Sequence, residues 1–114
     1  MATIKSYTDI EQSRKLADIL PLESADMYYD RYGTPNVIDN IVTHKSIKTD
    51  KYQHLIPCWS LAALLGVLDF PSLTQNKDDE WEVCVFDHDI HGYIEKTASN
   101  PVDTCVAMIE KLHE

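Results

Sequence analysis

The stretch from Ile56 to Leu68, which reads Ile-Pro-Cys-Trp-Ser-Leu-Ala-Ala-Leu-Leu-Gly-Val-Leu, is the most apolar run in the chain. Its leucines recur at helical spacing, at positions 61, 64, 65 and 68. Pro57 suits the first position of a helix, where its missing N–H costs nothing. Ala62, Ala63 and Val67 leave this helix little polar face. The run therefore predicts a central helix over residues 57–68 that fixes the core.

Signals for a helix and a hairpin precede this run. Thr8 and Glu11 form a Thr-x-x-Glu capping box, which predicts a helix that ends near Leu20, before Pro21. The aromatic stretch 25–32 and the β-branched stretch 37–47 flank a turn sequence, Gly-Thr-Pro-Asn, and predict the two arms of a hairpin. The polar residues 48–54 are then a connection.

Signals for a second hairpin and a last helix follow the run. Alternation from Trp81 to Phe86 predicts a strand, and residues 93–96 predict its shorter return strand at a sheet edge, after a turn over residues 87–92. Asn100 and Pro101 are a cap and a first helical residue. The predicted fold is α+β, a single domain over residues 1–114. Three helices pack in one layer on a small antiparallel sheet of about four strands, the helix at 57–68 against its inner face.

The net charge and the cysteine content of the chain limit the classes of function that it can have. The chain has 114 residues and a net charge of −9, from 19 acidic and 10 basic residues. This balance disfavours direct nucleic-acid binding, which requires clustered Lys and Arg. The run at 61–68 is far shorter than the roughly 20 apolar residues of a membrane span. No signal peptide is recognisable, and three widely separated cysteines predict core thiols without disulfides, so we expect a cytoplasmic protein.

Cys58 is the one candidate nucleophile, because a thiol at a helix N-terminus can have a lowered pKa. The Cys58-Trp59-Ser60 step is similar to the sequence around the nucleophile of papain-like cysteine peptidases, and His88 or His91 follows later in the chain. The Gly-rich residues that precede the papain nucleophile are absent. The alternative interpretation is a buried structural thiol, which is the commoner case.

Two further clusters are candidate sites. Asp87, His88, Asp89 and His91 could contribute ligands to a zinc ion, although a structural site needs four ligands and loop tips collect these residue types for conformational reasons. Tyr28, Tyr29 and Tyr32 could form a recognition surface, or could lie half in the core and half on a sheet face. With only three glycines, the chain has no phosphate loop or dinucleotide fingerprint, so we expect no cofactor.

Three segments carry a resemblance to a known family: Tyr7-Thr8-Asp9-Ile10-Glu11-Gln12-Ser13, Ala25-Asp26-Met27-Tyr28, and Ile56-Pro57-Cys58-Trp59-Ser60-Leu61-Ala62-Ala63-Leu64-Leu65. The closing helix, with Asn100-Pro101-Val102-Asp103 and Met108-Ile109, extends it over most of the chain. The sequence resembles a family of short uncharacterised proteins of Bacteroides-type gut bacteria, often associated with phage or mobile elements. The resemblance implies a bacterial cytoplasmic or prophage-encoded domain and assigns no catalytic residue.

Two functions are consistent with these observations. The first is a non-enzymatic interaction module, for instance an accessory factor of a mobile element, that presents an acidic, tyrosine-bearing surface to a protein partner or to a second copy of itself. The second is a small cysteine-dependent hydrolase that uses Cys58 with His88 or His91. The sequence motivates the first chiefly because it lacks recognisable chemistry.

Overall fold

The structure is a computed structural model that describes residues 5–38 and 55–114. Three α-helices are present within these ranges: α1 (Ile10–Ala17), α2 (Leu61–Val67) and α3 (Pro101–Leu112). A single 3₁₀ turn (Leu22–Ser24) follows α1 in the same part of the chain. The described strands are β1 (Met27–Tyr29), β2 (Pro35–Val37), β3 (Ile56–Cys58), β4 (Ser72–Gln75), β5 (Trp81–Asp87) and β6 (Gly92–Ala98). The fold is α+β, as predicted, with these strands divided between two antiparallel sheets.

The first sheet has the order β2-β1-β3, with β1 in the centre. Tyr28 pairs with Asn36 on one side and with Pro57 on the other. The predicted hairpin is confirmed for β1 and β2, and its turn is closed by Asp30, whose Oδ1 accepts hydrogen bonds from the N–H groups of Tyr32 and Thr34. The rest of the predicted second arm, and the connection after it, lie outside the described residues.

The second sheet has the order β4-β5-β6. The pairing of β5 with β6 is continuous from Trp81 opposite Ala98 to Asp87 opposite Gly92, which confirms the predicted hairpin and the edge position of its return strand. Strand β4, whose Ser72 and Gln75 pair with Cys84 and Trp81, was not predicted. Its polar composition carries no alternation that would mark a strand.

The core is built around α3, not around the segment at 57–68. Asn100 caps α3 by accepting a hydrogen bond from the Asp103 N–H at 2.9 Å, as predicted. Val102, Cys105 and Ile109 on this helix are fully buried, and the helix packs on the inner face of β5 and β6, where Val83 and Val85 are buried. These residues join one core cluster with residues of the other helices.

The prediction of a central helix beginning at Pro57 is wrong. Pro57 lies in β3, an edge strand, where a residue without an N–H is tolerated. Helix α2 begins after Ser60, whose Oγ accepts a hydrogen bond from the Ala63 N–H at 3.2 Å. Within this helix Leu64 is the fully buried residue, and Ala62 and Gly66 are exposed. Helix α2 is therefore a surface helix that packs on α3 with one side.

The N-cap of the first helix is Asp9 rather than Thr8. Asp9 Oδ1 accepts from the Gln12 N–H at 2.8 Å, and Gln12 Oε1 accepts from the Asp9 N–H at 3.1 Å, so the capping box is one residue later than predicted. Helix α1 ends at Ala17, before the predicted end. In the described part of the chain, no helix combines the length and the apolarity that crossing a membrane would require.

Candidate functional site

The side chain of Cys58 is enclosed in a buried network of polar groups. Its Sγ donates to the Thr8 carbonyl oxygen at 3.4 Å and lies 3.5 Å from Thr8 Oγ1. The same carbonyl accepts from the Tyr29 hydroxyl at 2.6 Å. Thr8 Oγ1 in turn lies 2.8 Å from Ser13 Oγ and accepts from the Trp59 N–H at 3.2 Å. These five residues, the Thr8 network, connect the segment before α1 to β3 and β1.

This environment favours the neutral thiol. Burial raises the pKa of Cys58, although hydrogen bonds from neighbouring hydroxyl groups oppose that effect. Because Cys58 lies in β3, two residues before the N-cap of α2, it is also not a first-turn residue of a helix. The groups that act on its sulfur include Thr8, Ser13 and Tyr29, and neither His88 nor His91 is among those described. The hydrolase hypothesis gains no support from this geometry.

The two candidate histidines lie on the exposed turn between β5 and β6. His88 Nε2 lies 3.5 Å from Asp69 Oδ2, and the His88 ring packs edge-to-face on Phe86 with centroids 4.9 Å apart. His91 has a left-handed backbone conformation with φ 51°, which the turn imposes. Among the described residues, no three His, Cys, Asp or Glu side chains come together as metal ligands, so the turn does not gather Asp87 and Asp89 with the histidines.

The three tyrosines near β1 do not form one surface. Tyr29 is buried, and its hydroxyl belongs to the Thr8 network. Tyr28, the preceding residue in β1, is half-buried. Tyr32 is 76% exposed and carries the Arg31 guanidinium over its ring at 5.0 Å. The set is therefore divided between the core and the surface, which is the alternative that the sequence left open.

A tyrosine-bearing, acidic surface does exist, on the second sheet. Alternation along paired strands places one set of side chains on the side opposite α3. We call this set the outer sheet face; it consists of Ser72, Thr74, Glu82, Cys84, Phe86, Tyr93, Glu95 and Thr97. None of these outward residues of β4, β5 and β6 is a lysine or an arginine.

Aromatic side chains gather at one end of the outer sheet face. Phe86 and Tyr93 are direct cross-strand partners and pack edge-to-face with centroids 5.4 Å apart. Tyr93 is nevertheless 72% exposed. The contact between Asp69 and His88 brings the loop after α2 to the same end of the sheet. Phe70, the next residue in that loop, is 92% exposed. Large apolar side chains are thus held in solvent at this end.

Carboxylates occupy the middle of the outer sheet face. Glu82 on β5 and Glu95 on β6 are diagonal neighbours, since Glu82 pairs with Thr97 and Cys84 pairs with Glu95. The negative charge of Glu95 raises the pKa of Glu82. No cation of the outer sheet face balances this pair, because its outward residues include none. The outward residues of these three strands therefore combine aromatic rings with carboxylates and include no lysine or arginine.

The backbone of Phe70 is strained, because its φ of 48° lies in the left-handed region that bulky residues avoid. We expect Phe70→Gly to raise the free energy of unfolding by about 0.5–1 kcal/mol, since the side chain makes little contact and glycine adopts this conformation without penalty. Urea denaturation measures the change. Ile90→Gly, at another exposed apolar residue without positive φ, is the matched control and should lower stability. Equal destabilisation by both would contradict the strain.

The sequence contains one local signal for the outer sheet face. The alternation that predicted β5 also assigns Glu82, Cys84 and Phe86 to one side of that strand. Its register with β6, which brings Tyr93 opposite Phe86, requires the structure. Comparison of the chain with protein-family models, with curated proteins and with solved structures found no match. The resemblance to the Bacteroides-type family therefore stays a prediction.

Proposed function

We propose that this protein is a non-enzymatic interaction module of the bacterial cytoplasm, an accessory factor of a phage or mobile element. In this proposal it binds a protein partner through the outer sheet face. The observation that carries the proposal is the pairing of the half-buried Phe86 ring with the exposed Tyr93 ring, beside Glu82 and Glu95, on a sheet face whose own outward residues include no lysine or arginine. Such a face is costly to leave in water, and a binding surface is the usual reason to keep one.

The chemistry of the face specifies the partner as a basic protein segment. A lysine or arginine can pack its charged group over an aromatic ring and still reach a carboxylate two residues along the strand. Tyr93 and Glu95 have this spacing on β6, and both are exposed. Aromatic residues are also the side chains that most often carry the binding energy of protein interfaces.

The charge of the whole chain supports the same partner. A net charge of −9 attracts a basic protein over a distance and raises the rate of encounter, most strongly at low salt. A second copy of this chain fits the face less well, because two-fold pairing would bring the Glu82 and Glu95 carboxylates of both copies together. The face therefore favours a different protein over a homodimer.

Site-specific photo-crosslinking in the host tests the proposal. A benzophenone amino acid at position 93 should give a covalent adduct with a protein whose crosslinked peptide is rich in Lys and Arg. The same probe at Lys15, an exposed position on α1, is the control and should give no such adduct. We expect Glu95→Lys to reduce the adduct at least about tenfold, since it replaces an attractive charge with a repulsive one.

Glu110→Lys makes the same charge change on an exposed position of α3 and should leave the adduct at more than half its original yield. Three results would overturn the proposal. They are equal adducts from positions 93 and 15, an adduct with twice the mass of this chain, and an adduct that Glu110→Lys reduces as much as Glu95→Lys does.

A further inference from the structure

The paired strands β5 and β6 divide the outer sheet face into rungs, each formed by two opposite residues whose side chains point outward. The first rung, next to the turn between the strands, is aromatic, with Phe86 opposite Tyr93. The second rung carries the carboxylate of Glu95 on β6, and the third carries that of Glu82 on β5. The aromatic rung is therefore followed by two rungs that hold one carboxylate each.

Glu80, the residue before β5, forms a fourth rung in the same phase. Its carbonyl oxygen accepts a hydrogen bond from the Asn76 N–H at 2.8 Å, so β4 and β5 stay bonded beyond the pair of Gln75 and Trp81. Because side chains alternate along a strand, Glu80 lies on the same side as Glu82. Glu80 is exposed. Carboxylates thus extend to the end of the face that is opposite to the aromatic rung.

The spacing of the rungs matches an extended polypeptide. Successive rungs are two residues apart along a strand, which is roughly 7 Å. An extended segment places its alternate side chains at the same interval, whereas neighbouring side chains on one side of an α-helix are about 5–6 Å apart. One side chain of an extended segment can therefore meet each of the four rungs, over about seven residues.

The two central carboxylates favour a cation close to them. The negative charge of Glu95 raises the pKa of Glu82, because the two carboxylates repel each other. A lysine or arginine beside them replaces this repulsion with attraction. The same basic side chain can lie along the Tyr93 ring, since Tyr93 and Glu95 are two residues apart on β6.

We infer that the partner segment is extended and has the pattern apolar-x-basic-x-basic-x-basic, with its apolar residue on the aromatic rung. The apolar side chain packs on Tyr93, which is 72% exposed. The three basic side chains pair in order with Glu95, Glu82 and Glu80. The inference rests on the proposed function, because it takes the outer sheet face as the binding surface. Both directions of the partner chain satisfy the pattern.

A titration followed by NMR, at about 0.15 M salt, tests the pattern with capped peptides of identical composition. The matching peptide is Phe-Ser-Lys-Ser-Lys-Ser-Lys, and the mismatched peptide is Phe-Lys-Ser-Ser-Lys-Lys-Ser, each made in both directions. We expect the better matching peptide to bind with a dissociation constant of about 1 mM. Its mismatched counterpart should bind about fourfold more weakly, since it loses two exposed ion pairs, each worth roughly a factor of two.

Two variants locate the ends of the peptide on the face. Tyr93→Thr removes the ring and keeps a residue suited to a strand, so it should weaken the matching peptide about fivefold. It should have little effect on a peptide in which serine replaces the phenylalanine. Glu80→Lys should weaken the matching peptide about fivefold, and much less when serine replaces the lysine farthest from the phenylalanine. Glu110→Lys, on the exposed side of α3, is the control and should change the affinity less than about twofold.

Each contrary result would overturn the inference. Equal affinities of the matching and mismatched peptides would exclude recognition of the spacing. An equal effect of Tyr93→Thr on peptides with and without phenylalanine would remove the apolar residue from the aromatic rung. An absence of binding at concentrations well above about 1 mM would show that the face does not hold a segment of this pattern. None of these results would abolish the crosslink expected at position 93, so they leave the proposed function standing.

Discussion

Replacing Thr8 by valine should lower the free energy of unfolding by about 2–4 kcal/mol, although the two side chains have nearly the same shape. The hydroxyl of Thr8 accepts from the Trp59 N–H and bonds the Ser13 hydroxyl, and all of these residues are fully buried. Valine offers no hydrogen-bond partner to the Trp59 N–H or to the Ser13 hydroxyl. Each buried polar group left without a partner costs about 1–3 kcal/mol. Chemical denaturation measures the loss.

Thr8→Ser is the matched control, because serine keeps the hydroxyl and removes one buried methyl group. Its expected cost is about 1 kcal/mol, from lost burial alone. Serine changes the volume of the side chain more than valine does, and it is nevertheless expected to be the less destabilising substitution. If serine proves as damaging as valine, packing around Thr8 outweighs the Thr8 network. In that case the network is not what holds the segment before α1 against β3.

The elements that the sequence predicted well are those whose signals are local. Asn100 and Pro101 specify the start of α3 through a cap and a fixed φ, and both act within one helical turn. Alternation specifies the hairpin of β5 and β6, since each strand has one side against α3 and one side away from it. Nothing outside these segments was needed to recognise them.

The helix start predicted at Pro57 is wrong because the local sequence is compatible with two structures, a helix and an edge strand. A proline without an N–H fits the first position of a helix, and it fits an edge strand equally well. The pairing of β3 with β1, which puts Pro57 opposite Tyr28, decides between them. That pairing joins residues distant in sequence, so no local pattern reports it. Ser60, the actual N-cap, is a residue type that local sequence preferences also favour at a helix start.

The outer sheet face and a groove of about 620 Å³ between the 3₁₀ turn, α2 and the end of α3 depend on tertiary structure to different degrees. One side of the outer sheet face can be read from the alternation in β5, and the register with β6 adds Tyr93 and Glu95. The groove cannot be read from any single segment, because its walls come from the 3₁₀ turn, from α2 and from the end of α3. A cavity is a property of how elements pack, and composition alone does not reveal it.

Alkylation of the native protein with iodoacetamide should modify Cys84 and leave Cys58 and Cys105 unmodified. Cys84 lies half-buried on the outer sheet face, whereas the other two thiols are fully buried. Burial also raises the pKa of Cys58 and raises the pKa of Cys105 to about 11, so at neutral pH both remain protonated and unreactive. Mass spectrometry of the alkylated protein locates the adducts.

The rates should differ by a factor of about 1000 or more, since labelling of a buried thiol requires an opening of the fold that costs several kcal/mol. Cys84→Ser should remove the native adduct, and denatured protein should take up one adduct on each of its three cysteines. A lowered pKa of Cys58 would instead make Cys58 the faster-reacting thiol. If Cys58 reacted faster than Cys84 below pH 7, its thiolate would be stabilised at neutral pH, and the hydrolase hypothesis would replace the interaction module as the better account of this chain.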